Sequence, residues 1–154
     1  MVSFDPKSAA AYVADAHRTR APYRNLPPEI APPTVADAYA AQEALRELWT
    51  PIYGPVRGLK IATTTKVMQQ LMGIDHPCGG MIYERRIHQS PAQVRREEFV
   101  NLMVEFELAV RLGTSLPPKA TPYTAAEVRA AVAEVMPAFE LIEDRGADYK
   151  STNA

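Results

Sequence analysis

Three features of the 154-residue sequence predict an α+β fold. Amphipathic helical patterns crowd its N-terminal third, the stretch 101–112 alternates apolar and polar residues, and the run "AFELIEDR" at 138–145 reads as a further strand. The length suits one globular unit with a real core. A hydrophobic share of 47%, a charged share of 23% and a net charge of −1 are ordinary for a soluble fold. They supply no long-range field to attract nucleic acid or an anionic membrane, so neither partner is expected.

Asp5 followed by Pro6 is a helix start, and Ala9, Tyr12, Val13 and Ala16 share one face up to about Arg20. The segment "APYRNLPPEIAPP" carries five of the fourteen prolines and reads as an extended connector, because proline fixes φ and lacks an N–H. Thr34 with Asp37 caps a second helix, with a stripe through Val35, Ala38, Tyr39, Gln42, Leu45 and Trp49 that Pro51 and Gly54 are expected to end. A short strand "GLKIA" at 58–62 follows, then a brief helix capped by Thr65 that stops at Gly73, then a loop "IDHPCGG".

In 101–112, Leu102, Val104, Phe106, Leu108, Val110 and Leu112 face one way, toward an expected core. Asn101, Met103, Glu105, Glu107, Ala109 and Arg111 face the other. A helix is predicted from Thr124, with Glu127 as capping-box partner, through Val128, Val132, Val135 and Met136 to Pro137. The strand after it places Ala138, Glu140 and Ile142 on one face, and there is no internal repeat.

Cys78 is the single cysteine, so no disulfide forms within the chain and a reducing compartment is the simpler reading. The N-terminus lacks the basic-then-apolar order of a signal peptide, and no apolar run approaches the length that crosses a bilayer; the expectation is a cytoplasmic protein.

Glu105 and Glu107, two apart on a strand, concentrate negative charge on one face, and Glu140 adds a third carboxylate on a later strand. Such a set suits a hard divalent cation, which takes oxygen ligands, but it equally suits the solvated face of an edge strand, and spacing does not choose between them. Lys60 points opposite to Leu59 and Ile61, either into a polar cleft or onto the surface with its stem over apolar area. His76 and Cys78 flank Pro77 in a glycine-bearing loop and have the chemistry of acid, base or nucleophile, without a supporting triad order. The run "RREE" at 95–98 reads as a solvated face.

The blocks "GLKIATTTKVMQQLMGID", "VEFELAVRLG" and "YTAAEVRAAVAEVMPAFELIEDR" resemble, in order, the 2-oxopent-4-enoate hydratase and 2-oxo-hex-3-enedioate decarboxylase group of the fumarylacetoacetate hydrolase superfamily. The likeness runs from about Val35 onward. It implies N-terminal helices beside a mixed β-roll, with a helical region over 1–57 and the first part of a metal-binding α/β roll over 58–154, all one structural unit. It implies that Glu105, Glu107 and Glu140 bind magnesium or manganese, and that Lys60 contacts a small-molecule 2-oxo acid. The substrate would chelate the metal through its carboxylate and keto oxygens, while Lys60 stabilises the developing negative charge or relays a proton. The function expected is thus that of a metal-dependent hydro-lyase or decarboxylase in aromatic-compound catabolism.

Two departures from the family pattern bear on this. Many hydratases have a Pro-Asp pair where this chain reads Pro77-Cys78, which leaves Glu84, His76 and Cys78 as alternative proton donors. Family chains also continue past the last block with strands that close the roll, so C-terminal strands are expected to be lacking, leaving open sheet edges and apolar faces that favour a homo-oligomer. The alternatives to a lyase are a carbon–carbon hydrolase on an acylpyruvate and a non-catalytic partner subunit.

Overall fold

The computed structural model describes residues 3–149, which form two compact units: 3–100 together with 144–149, and 101–143. In the first unit the Asp5 carboxylate accepts the N–H groups of Lys7 (3.1 Å) and Ser8 (3.2 Å) and so opens helix α1, Pro6–Arg18. Helix α2, Val35–Tyr53, begins where the Thr34 hydroxyl accepts the Asp37 N–H at 3.1 Å. Pro51 does not end α2, as its sequence position suggests, but lies in its last turn. A proline there forfeits one intrahelical hydrogen bond and keeps a helical φ, so the helix runs on until Gly54, whose φ of +82° few other residues adopt. α1 packs on α2, and Ala9 and Ala10 of α1 are buried.

Strand β1, Val56–Ala62, pairs antiparallel with β2, Cys78–Tyr83, and the short helix α3, Lys66–Leu71, stands between them behind its Thr65 cap. Cys78, Gly79 and Gly80 are therefore strand residues and not part of a loop. Glycines have little strand preference of their own; pairing with Ala62, Ile61 and Lys60 recruits them. Helix α2 ties to this ribbon: Gln42 Nε2 donates to the Gly79 carbonyl (2.9 Å) and the Gly79 N–H donates to the Tyr39 hydroxyl (3.0 Å). Trp49 meets the rings of His17, Tyr53 and Tyr83 edge-on with centroids 5.2, 5.8 and 5.9 Å away. Burial pushes the Tyr83 phenol above its usual value. The returning segment is held by Arg145, which donates to the Ala21 carbonyl (3.2 Å) and accepts the Tyr23 N–H (3.0 Å). The charged run at 95–98 is exposed, with one 3₁₀ turn, Arg96–Glu98, as a solvated face should be.

The second unit is a long antiparallel ribbon of β3, Leu102–Leu112, and β4, Val132–Glu143, joined through helix α4, Ala125–Ala131. The capping box at its start is complete: Thr124 accepts the Glu127 N–H and the Glu127 carboxylate accepts the Thr124 N–H. α4 stops at Ala131, well short of the predicted Pro137, and Val132 to Met136 continue as strand. These β-branched and extended-tolerant residues pair with Ala109 to Leu112, a long-range interaction that overrides a weak helical pattern. Pro137 fits because each strand of a two-stranded sheet has an edge that needs no N–H donor.

The apolar row of β3 does not face a core, contrary to expectation. Phe106 is 87% exposed and Leu108 73%, and Phe139, opposite Phe106 on β4, is 67% exposed. Only a covering layer buries a sheet face, and this two-stranded ribbon has no second layer of its own to supply one. No helix of the described residues is long and apolar enough to cross a membrane.

Candidate metal centre

Alternation on β3 puts Met103, Glu105, Glu107, Ala109 and Arg111 on one face, and antiparallel register adds their partners from β4. Glu105 stands directly opposite Glu140, and Glu107 opposite Ala138, so Glu107 reaches Glu140 diagonally past a methyl group. One carboxylate oxygen from each of Glu105, Glu107 and Glu140 lies within 4.8 Å of the others. Glu105 and Glu107 are exposed and Glu140 is half-buried. Met103 and Ile142 border the cluster on one side, Ala109 and Met136 on the other, and Arg111 is two pairs away, bound to Glu134 at 3.0 Å.

Three carboxylates so close repel one another unless protons or a cation intervene. All donors are hard oxygens, the set that divalent cations such as magnesium take, with water or ligand oxygens completing the shell. The three glutamates singled out in the sequence are thus brought together by the fold.

Lys60 belongs to the other unit, in β1. It is half-buried while Leu59 and Ile61, on the opposite face, are exposed. The remaining candidates have their own commitments. Glu84 Oε1 accepts from Arg57 Nε (2.9 Å) and Nη2 (2.6 Å). His76 Nδ1 lies 2.9 Å from the Pro77 carbonyl, and the half-buried Cys78 donates its N–H to the Thr63 hydroxyl at 3.1 Å. Sequence reasoning missed the glycine pair at 79–80, which meets Tyr39 on one side and Lys60 on the other; two adjacent glycines inside a strand were the available signal.

No family model matches the chain. It is 31% identical over 133 residues to 2-keto-4-pentenoate hydratase of Paraburkholderia xenovorans (strain LB400), covering 84% of this chain and 46% of that one. To 2-hydroxypent-2,4-dienoate hydratase of Pseudomonas putida it is 30% identical over 118 residues, 76% of this chain and 52% of that one. The fold matches 4-oxalocrotonate decarboxylase from Pseudomonas putida G7, solved in complex with magnesium and adipate, with a TM-score of 0.81, 21% identity, and 94% of this chain against 54% of that one. The chain spans about half the length of the curated relatives it matches. By sequence over most of its length the chain is similar to 2-keto-4-pentenoate and 2-hydroxypent-2,4-dienoate hydratases, and by fold over nearly all of it to 4-oxalocrotonate decarboxylase.

Proposed function

We propose that this chain carries the divalent-metal site of a lyase that acts on an unsaturated 2-oxo acid, of the 2-keto-4-pentenoate hydratase type. The observation that carries the reading is the meeting of Glu105, Glu107 and Glu140 within 4.8 Å on one sheet face. The relatives' names support the substrate class, and the magnesium in the decarboxylase complex supports magnesium, with manganese as its close substitute.

Glu105, Glu107 and Glu140 would hold the cation through one oxygen each, leaving positions for the substrate. When bound, such a cation supplies Lewis-acid polarisation of a keto oxygen. Lys60 would stabilise the negative charge that builds on the substrate as its double bonds shift, or deliver a proton to carbon. The working form proposed is a homo-oligomer in the cytoplasm; the exposed apolar row of β3 and β4 supports the association between copies.

The test is calorimetric titration of magnesium and manganese into the purified chain, with and without oxalate as a chelating 2-oxo acid mimic, beside Glu105→Gln. Binding that oxalate strengthens and the substitution removes supports the site; no binding by a folded chain overturns it. Product analysis then separates the chemistries: hydration adds one water, decarboxylation releases carbon dioxide, and hydrolysis of an acylpyruvate yields two acids.

A further inference from the structure

Gly80 lies directly opposite Lys60 in the β1–β2 ladder. A Cβ at Gly80 would fall 3.0 Å from Lys60 Cγ, 3.3 Å from Cδ and 3.9 Å from Cε, so three successive carbons of the lysine stem lie across this one position. Backbone conformation does not demand glycine there, since the left-handed glycines are Gly54, Gly73 and Gly146. What the position lacks is room. Gly79 differs: a Cβ there would meet the Tyr39 hydroxyl at 3.6 Å, an ordinary contact, and would leave Lys60 untouched.

We infer that Gly80 is a positioning residue for Lys60, its missing side chain letting the lysine stem lie flat along β2 and so fixing where the ammonium sits. The consequence for the reaction rests on the role proposed for Lys60 above. The closest contact is with Cγ, whose place is set by χ1 alone, so the far end of the side chain cannot relieve it. Relieving it asks Cγ to give by a few tenths of an ångström, and the χ1 rotation that does so is amplified along the stem to about 1 Å at the amine. Displacements of about 1 Å at a reacting group cost on the order of a hundredfold in rate.

The experiment compares Gly80→Ala with Gly79→Ala, each with Lys60 present and in a Lys60→Ala background. It reads the acetylation rate of Lys60 by acetic anhydride against pH, the unfolding midpoint, and turnover of 2-hydroxypenta-2,4-dienoate with magnesium. The expected result is a severalfold change in Lys60 acetylation in Gly80→Ala alone. A kcat at least tenfold lower with little change in KM should accompany it, and both the kinetic and the stability effects of Gly80→Ala should vanish once the Lys60 side chain is gone. If Gly80→Ala matches Gly79→Ala in acetylation, or lowers the midpoint equally with and without the Lys60 side chain, the inference is overturned. Failure of Gly80→Ala to fold while the double variant folds supports it; failure of both overturns it. Full turnover in Lys60→Ala sinks the proposed role of Lys60 separately, because acetylation and the stability cycle still decide what Gly80 does.

Discussion

Glu105 and Glu140 face each other as direct cross-strand partners in the β3–β4 ladder, two carboxylates where an ordinary ladder places opposite charges or an apolar pair. Glu107 completes the cluster from the next position on the same face. Like charges directly opposite destabilise a sheet, and a cation held between them would offset that repulsion.

The first prediction follows from that sign. Without metal, Glu105→Gln should raise the stability of the chain, by about 0.2–1 kcal/mol, the range of a cross-strand pair. With saturating magnesium the order should reverse, because only the wild type gains binding free energy in the native state. Thermal unfolding of both proteins with magnesium and with a chelator checks this; the same order under both conditions would count against a metal at these carboxylates.

Glu127 makes a second prediction, in acid. The Lys119 ammonium, 2.6 Å away, and the Thr124 N–H and hydroxyl hold its carboxyl below the usual range. A carboxylate with a depressed folded-state pKa adds stability that is complete above its unfolded value, about 4.3, and is lost as pH falls through the folded value. The wild type should therefore lose more of its unfolding midpoint than Glu127→Gln as pH drops from neutral to below about 4. Parallel pH profiles would show that the capping box contributes no linked stability.

Trp49 sits among His17, Tyr53 and Tyr83 and joins α1, α2 and β2. Trp49→Ala should cost about 3 kcal/mol, the lower end for a large aromatic, since the ring is half-buried. Urea unfolding followed by circular dichroism measures it, the sole tryptophan being gone. A loss near zero would mean that the ring cluster does not hold the helices to the ribbon.

Phe106 and Phe139, with ring centroids 5.2 Å apart, are the most prominent part of the exposed apolar face. Phe106→Glu should reduce concentration-dependent association in sedimentation velocity while leaving the β3–β4 circular dichroism signal in place. Unchanged association, or none in the wild type, would count against this face as the contact between copies of the proposed oligomer.

The openings of α1, α2, α3 and α4 are legible in the sequence because capping is local. Asp5, Thr34, Thr65 and Thr124 each bond a backbone N–H within three residues, and no distant partner is needed. The β3 strand is legible for the same reason, and with it the shared face of Glu105 and Glu107, since period-two alternation belongs to the strand itself. Where α4 ends is not local: Val132 to Met136 satisfy either period, and pairing with β3 decides for strand.

The sequence by itself thus determined which residues could share a face and where helices begin. The tertiary structure alone decided that Glu140 lies opposite Glu105, that Gly80 lies beneath the Lys60 stem, and that the apolar row of β3 stands exposed in this chain. The physical reason is register. A one-residue slip in either ladder would send every side chain of a strand to the other face, and register is set by contacts between distant segments that no local pattern encodes.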